Sequence, residues 1–248
     1  MKKVLLAGES WMSFTTHVKG FDSFVTTVYD SGEKWLKEAL EAGGYAVTFL
    51  PNHLAMDQFP YTAAELAAYD CIILSDIGAN TLLLPMEVFA KSQRKPNRAQ
   101  AIKEYVLGGG ALLMVGGYLT FSGIDAKGKW GHTPVQDVLP VSVLEVDDRM
   151  EHMEGIYPVV VSDHAILKGM PAGDWPHCLG YNKTIPREEA AVCVKIGEDP
   201  LIACAEYGRG RSAVFTSDCA PHWLPPEFVG WEHYNTLWQG ILNWLTRK

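Results

Sequence analysis

An α/β fold, with a central mostly parallel sheet, helices on both faces and antiparallel strands added in the C-terminal half, is predicted by three features of the sequence. Short apolar runs alternate with helical patterns up to Val115, which is the signature of parallel strands joined by crossover helices. The stretch Gly108-Gly109-Gly110-Ala111-Leu112-Leu113-Met114-Val115-Gly116-Gly117 reads as helix stop, strand covered on both faces and sharp glycine turn in succession. Beyond it, Val141–Val146, Tyr157–Val161, Ala191–Ile196, Leu201–Tyr207 and Ser212–Ser217 are strand-like, with few helices between them.

The elements follow in order. Lys3–Ala7 is the first strand, and its apolar run is too short for a signal peptide or a membrane span. Gly8–Ser31 reads as a long aromatic-bearing connection without regular structure, the kind of segment that serves as a lid or binding loop. Trp35, Leu36, Ala39 and Leu40 give a helix one buried face, and Gly43-Gly44 stops it. Tyr45–Leu50 is the second strand, closed by Pro51, and Thr62-Ala63-Ala64-Glu65 is a capping box. Cys71–Asp76 is the third strand, and a helix over Asn97–Leu107 leads into the glycine-framed one. Gly208-Arg209-Gly210 supplies a hairpin turn. The last helix, Trp231–Leu245, carries a core-facing stripe of Trp231, Tyr234, Trp238, Ile241, Leu242 and Leu245, with Leu237 and Trp244 as surplus apolar width for subunit contact. No linker or repeat divides the chain, so residues 1–248 are expected to form a single domain.

Composition narrows the function classes. With 48% hydrophobic and 20% charged residues the chain can bury a substantial core. A formal net charge of -8 argues against nucleic acid and anionic membrane surfaces as partners. Five cysteines without Cys-x-x-Cys spacing fit a reducing compartment, and the cytoplasm is the expected location. No pair of histidines or Glu-x-x-His has the spacing of a metal site, and no phosphate-binding loop is present, so neither metal nor cofactor is expected.

The glycine-framed stretch continues as Tyr118-Leu119-Thr120-Phe121-Ser122-Gly123, then Trp130-Gly131-His132-Thr133-Pro134-Val135 and Val138-Leu139-Pro140-Val141. Together with Gly8-Glu9-Ser10-Trp11, His17–Asp22, Tyr207–Arg211, Ser217-Asp218 and Pro221-His222-Trp223, it resembles the class I glutamine amidotransferase-like superfamily, in particular its uncharacterised branch. The similarity spans nearly the whole chain and rests on the order of short motifs. It implies a flavodoxin-like class I glutamine amidotransferase fold with the working site at the carboxyl ends of the strands, where open α/β sheets bind ligands. Members with glutaminase activity carry a cysteine in a Gly-x-Cys-x-Gly elbow. Here that position is Tyr118, with Thr120 in place of the last glycine. A phenol, with a pKa of about 10, is a poor nucleophile, so glutaminase activity is not expected.

The candidate site gathers from several strand ends. Gly117 turns the chain so that Tyr118 is presented at the elbow, and Glu9, Ser10 and Trp11 follow the first strand onto the same rim. Asp218, Cys219 and His222 follow the last long strand, and His222 is the residue most like the family's surviving base, oriented by Asp218 or Glu232. His132 completes the substrate-binding candidates.

Three readings stand side by side. In the first, the protein binds a small polar metabolite at Glu9, Ser10, Tyr118, Asp218 and His222 without glutaminase chemistry. In the second, it is a hydrolase or transferase whose nucleophile has moved to Cys219 or Ser10, with His222 as base. In the third, it is a non-catalytic assembly subunit. A homo-oligomer and a small-molecule ligand are the expected partners.

Overall fold

The computed structural model describes residues 1–248 in full. Its centre is an eight-stranded sheet. The parallel half is formed by β1 (Lys2–Gly8), β4 (Tyr45–Pro51), β5 (Cys71–Ser75), β6 (Ala111–Val115) and β14 (Gly210–Phe215). The far half adds β9 (Pro158–Val160), β12 (Ala191–Ile196) and β13 (Asp199–Tyr207), each antiparallel to its neighbour, in the overall order β4-β1-β5-β6-β14-β13-β12-β9. The first four parallel strands and the antiparallel β9, β12 and β13 fall where the sequence places strands, whereas β14, expected with the antiparallel group, runs parallel to β6 and is antiparallel only to β13, and Val141–Val143 lies outside this sheet.

Strand pleating divides the core. Val4, Leu6, Ile73, Leu113 and Val115 belong to a cluster of 34 buried residues shared with the helices Lys34–Ala42 and Tyr234–Thr246. Leu5, Ala7, Ile72, Leu74, Leu112 and Met114 belong to a second cluster of 26, shared with the helix Arg98–Leu107 and the shorter helices after β4 and β5. Successive residues of a strand point to opposite faces, so two clusters of this size explain why these strands are apolar throughout instead of alternating. The Asn97 side chain caps the helix Arg98–Leu107, and Thr62 with Glu65 forms the reciprocal capping box.

Three features depart from the sequence reading. The segment from Gly8 to Ser31 is regular: β2 (Ser10–Lys19) and β3 (Asp22–Ser31) form a ten-pair antiparallel hairpin. It closes on Gly20-Phe21, with Gly20 at φ +65 in the first loop position as a type II′ turn requires. The run Val141–Val146 divides into a three-residue strand, β7 (Val141–Val143), and a loop, after which β8 (Arg149–Ile156) pairs with β10 (Cys178–Asn182) and β11 (Thr184–Pro186) with β7. Residues of β8 are half-buried or exposed and mix charged, apolar and glycine positions without a regular period, so no hydrophobic pattern announces this strand. Finally, Leu237 is fully buried and so offers no surplus width, while Trp244 is half-buried with Arg211 packed over its ring at 4.7 Å from guanidinium to centroid.

Candidate functional site at the strand carboxyl ends

Three strand ends set the floor of the site. β1 ends on Gly8 at φ +117, and Glu9 follows at φ +46. A Cβ on Gly8 would lie 1.7 Å from the Ser75 carbonyl oxygen, so only glycine lets β1 and β5 run side by side here. Next to it, β5 ends and Asp76 takes φ +41. Non-glycine residues in the left-handed region are uncommon and collect at binding and catalytic sites. The Glu9 amide donates to the Ser75 carbonyl at 2.9 Å, and the Ser75 hydroxyl donates to Glu9 Oε1 at 2.5 Å. Asp76 Oδ1 accepts the Leu119 amide at 2.7 Å.

The elbow after β6 is held from beneath. Gly116 has no room for a side chain, because a Cβ would stand 2.2 Å from the Thr216 carbonyl oxygen. Gly117, at φ +143, donates its amide to Asn182 Oδ1 at 3.0 Å, and Asn182 Nδ2 donates to the Gly117 carbonyl at 3.1 Å and to Asp148 Oδ1 at 2.8 Å. Asp148 in turn accepts the Ser122 and Gly123 amides at 2.8 and 2.9 Å. Asn182 and Asp148 are buried and absent from the sequence candidates, yet they fix the loop that presents Tyr118.

Tyr118 stands at the cavity mouth. Its ring meets the His222 ring edge-on at 4.6 Å, and its hydroxyl donates to Glu151 Oε1 at 3.3 Å. The Arg149 guanidinium lies 5.0 Å from the Tyr118 ring centroid, and Trp223 Nε1 donates to Glu151 Oε2 at 3.0 Å. Behind Tyr118, Asp218 Oδ1 accepts the Cys219 and Ala220 amides at 2.6 and 3.2 Å, which leaves Oδ2 facing His222 Nδ1 at 3.5 Å.

The result is an open cavity of about 590 Å³ lined by Glu9, Asp76, Tyr118, Asp218 and His222, with apolar walls that include Trp11. Its floor is acidic. Burial, and then the neighbouring Asp218 and Asp76, hold the Glu9 carboxyl well above the usual carboxylate range. Burial and Asp218 push Asp76 up to about 6. The Asp218 carboxylate raises His222 above an ordinary histidine, so the imidazole keeps its proton to higher pH than usual.

Of the sequence candidates, Glu9, Trp11, Tyr118, Asp218 and His222 meet in this cavity. Gly117 shapes the elbow beneath it. Ser10 is buried at the hairpin root, where its hydroxyl accepts the Asn52 amide at 2.8 Å. His132 lies in the short turn Trp130–His132 and is not among the cavity residues. Cys219 is sealed: its Sγ lies 3.7 Å from the Ser75 hydroxyl, and burial together with Glu9 and Asp218 pushes its thiol well above the ordinary range. Asp76 joins the site although the sequence reading placed it only as the end of a strand.

Two groups place potential metal ligands together. Glu9, Asp218 and Cys219 converge beneath the cavity, with both carboxylates already engaged by Ser75 and by backbone amides. His164, Cys193 and Cys204 meet in the antiparallel half, with Cys193 on β12 and Cys204 on β13. There Cys204 Sγ is about equally distant from both ring nitrogens, at 3.8 and 3.9 Å, and His164 Nδ1 accepts the Ile166 amide at 3.2 Å. That ring therefore does not direct a free lone pair at the sulfur.

A parallel sheet extended by antiparallel strands, with a glycine elbow after a central strand and a histidine–aspartate pair after the neighbouring one, defines a class I amidotransferase-like α/β protein. The chain belongs to the family described as "Putative glutamine amidotransferase", whose model matches residues 3–247. No curated protein matches the sequence.

Among solved structures, the chain is similar to two from Salmonella typhimurium, the cytoplasmic proteins STM3548 and STM1381. Their identities are 44% and 43%, each with a TM-score of 0.94, covering 98% of this chain and 98% and 99% of theirs. A ThuA-like protein from Bacteroides uniformis shares the fold at 12% identity and a TM-score of 0.52, covering 98% of this chain and 91% of that one.

Proposed function

We propose that this protein binds a small polar ligand rich in N–H or O–H donors in the acidic cavity and does not hydrolyse glutamine. The observation that carries this reading is the exchange at the elbow: an aromatic ring packed edge-on against His222 occupies the nucleophile position, while three carboxyl groups converge below it. A cluster of acceptors with one apolar wall selects a polyhydroxylated or cationic molecule, because donors satisfy the carboxylates and Trp11 covers the ligand's apolar surface. A relocated cysteine nucleophile is disfavoured by the raised, sealed thiol of Cys219, whose neighbour is the Ser75 hydroxyl at 3.7 Å. Ser10 is disfavoured in the same way by its bond to Asn52. Five free buried cysteines, and two similar proteins described as cytoplasmic, support a cytoplasmic location.

Glucosamine, which carries both hydroxyl and ammonium donors, is a suitable probe. A charge-assisted hydrogen bond contributes about 1.5–3 kcal/mol, so Asp76→Asn or Asp218→Asn is expected to weaken calorimetric binding roughly 10- to 100-fold. Both replacements keep the amide-accepting oxygen. Equal binding by the native protein and both variants would remove the ligand from this cavity. Ammonia release from glutamine that disappears in His222→Ala would establish the chemistry the reading denies.

A further inference from the structure

We infer that the β2–β3 hairpin is an exchange arm, held in solution by a second copy of this chain. From Trp11 to Asp30 every residue except His17 is exposed, although the segment contains Trp11, Met12, Phe14, Val18, Phe21, Phe24, Val25, Val28 and Tyr29. The arm is anchored only at its root. There the Gly32 amide donates to the Glu9 carbonyl at 3.0 Å, Asn52 bonds Ser10, and the rings of Tyr29 and His53 meet at 5.2 Å. Along the arm, β2 and β3 pair only with each other, and both outer edges are open. An isolated two-stranded hairpin is at best marginally stable in water. A long, flat apolar strand with a free edge recruits another chain unless something covers it.

The distribution of charge selects the occupant. Paired residues share a face, so one side of the arm presents Met12, Phe14, Thr16 and Val18 opposite Tyr29, Thr27, Val25 and Ser23. That face carries no charge. The opposite face carries Lys19, Asp22 and Asp30, and the His17 ring stacks on Phe24 at 4.6 Å. For a chain of net charge -8, an uncharged face can meet its own counterpart without like-charge repulsion. Two such faces related by a two-fold axis form a self-complementary contact.

The dimensions agree. Ten-residue strands are about 34 Å long and a strand pair is about 10 Å wide, so the two faces of one arm offer about 700 Å². The two uncharged faces meeting each other bury about 700 Å² between them, and covering the opposite face of each arm with the partner as well brings the total to about 1,400 Å², within the range of about 1,200–2,000 Å² that stable interfaces bury.

The test is the solution mass of the full chain by light scattering after size exclusion. A dimer or a multiple of it is expected for the native protein, and a monomer for the double variant Phe14→Asp, Val25→Asp. Both side chains lie outside the two core clusters, so the melting of the body should persist. A second variant, in which Asn-Gly replaces residues 15–26, shortens the arm without touching its root and is also expected to be monomeric. All five native cysteines are buried, so Thr16→Cys adds a single reactive thiol, and a short bismaleimide should link two chains through it. A monomeric native protein overturns the inference, whether the arm then binds phosphatidylglycerol vesicles or an unlike protein. An assembly whose mass survives both arm variants overturns it as well.

Discussion

Gly8→Ala is expected to abolish stable folding, or at the least to lower the urea midpoint by an amount corresponding to more than about 4 kcal/mol, which is beyond ordinary point substitutions. Two independent obstacles coincide. The backbone is at φ +117, where an alanine is strained, and the new Cβ would be 1.7 Å from the Ser75 carbonyl oxygen and 2.9 Å from its carbon. Neither neighbour can rotate away. Ser75 is backbone in a strand paired on both sides, to β1 and to β6, so relief requires separating strands in the middle of the sheet. Gly173→Ala is the matched control: nothing lies within 4 Å of the added atom, and its midpoint should remain near that of the native protein. An unchanged midpoint for Gly8→Ala would mean that β1 and β5 do not run together as described.

The second large effect is expected at Asn182. Its amide is fully buried and spans the elbow backbone and the Asp148 carboxylate with three hydrogen bonds of 2.8 to 3.1 Å. Asn182→Ala leaves the Gly117 amide and carbonyl without that partner and opens a cavity, together costing about 2–5 kcal/mol. Asn182→Asp separates the polar contribution from the volume. It sets a second carboxyl against Asp148, whose own pKa burial already raises. Acids with raised folded pKa values oppose folding once ionised. The Asn182→Asp variant should therefore be least stable above neutral pH and regain stability as pH falls through the raised values. Denaturant titrations at several pH values check this, and a pH-independent loss would show that the two carboxyls do not meet.

The sheet was largely legible because its strands lie between two packed layers. Residues such as Val4–Ala7, Cys71–Leu74 and Ala111–Val115 have no solvent face, and the resulting apolar runs need no context to be read. The rim was legible for a related reason: Glu9, Tyr118 and Asp218 directly follow strands or glycine turns, and strand ends are where such sheets bind. Asp76 occupied the same kind of position and carried the same signal.

The arm was missed because its pairing is local and it packs against no core of the chain. Thr15-Thr16-His17-Val18 and Phe24 to Tyr29 around Gly20 have strand composition. Both faces mix apolar with polar residues, so neither reads as the buried side of a half-buried strand. The Asn182–Asp148 support was missed for the opposite reason. Its hydrogen bonds join residues 34 and 65 positions apart, and a single asparagine in a strand carries no periodic signal of such a partner.

Glu9 gives the cavity floor one further property. Its carboxyl sits beneath Asp76 and Asp218 with its pKa well above the usual range, so the empty site retains a proton that an ordinary glutamate would already have lost. An ammonium group arriving there supplies the positive charge that this proton had provided. Uptake of a cation and discharge of a proton then become one thermodynamic event, and affinity for a cationic ligand rises with pH until Glu9 has ionised in the empty site. A neutral polyol would bind without that exchange, so the heat of binding in buffers of different ionisation enthalpy distinguishes the two ligand classes.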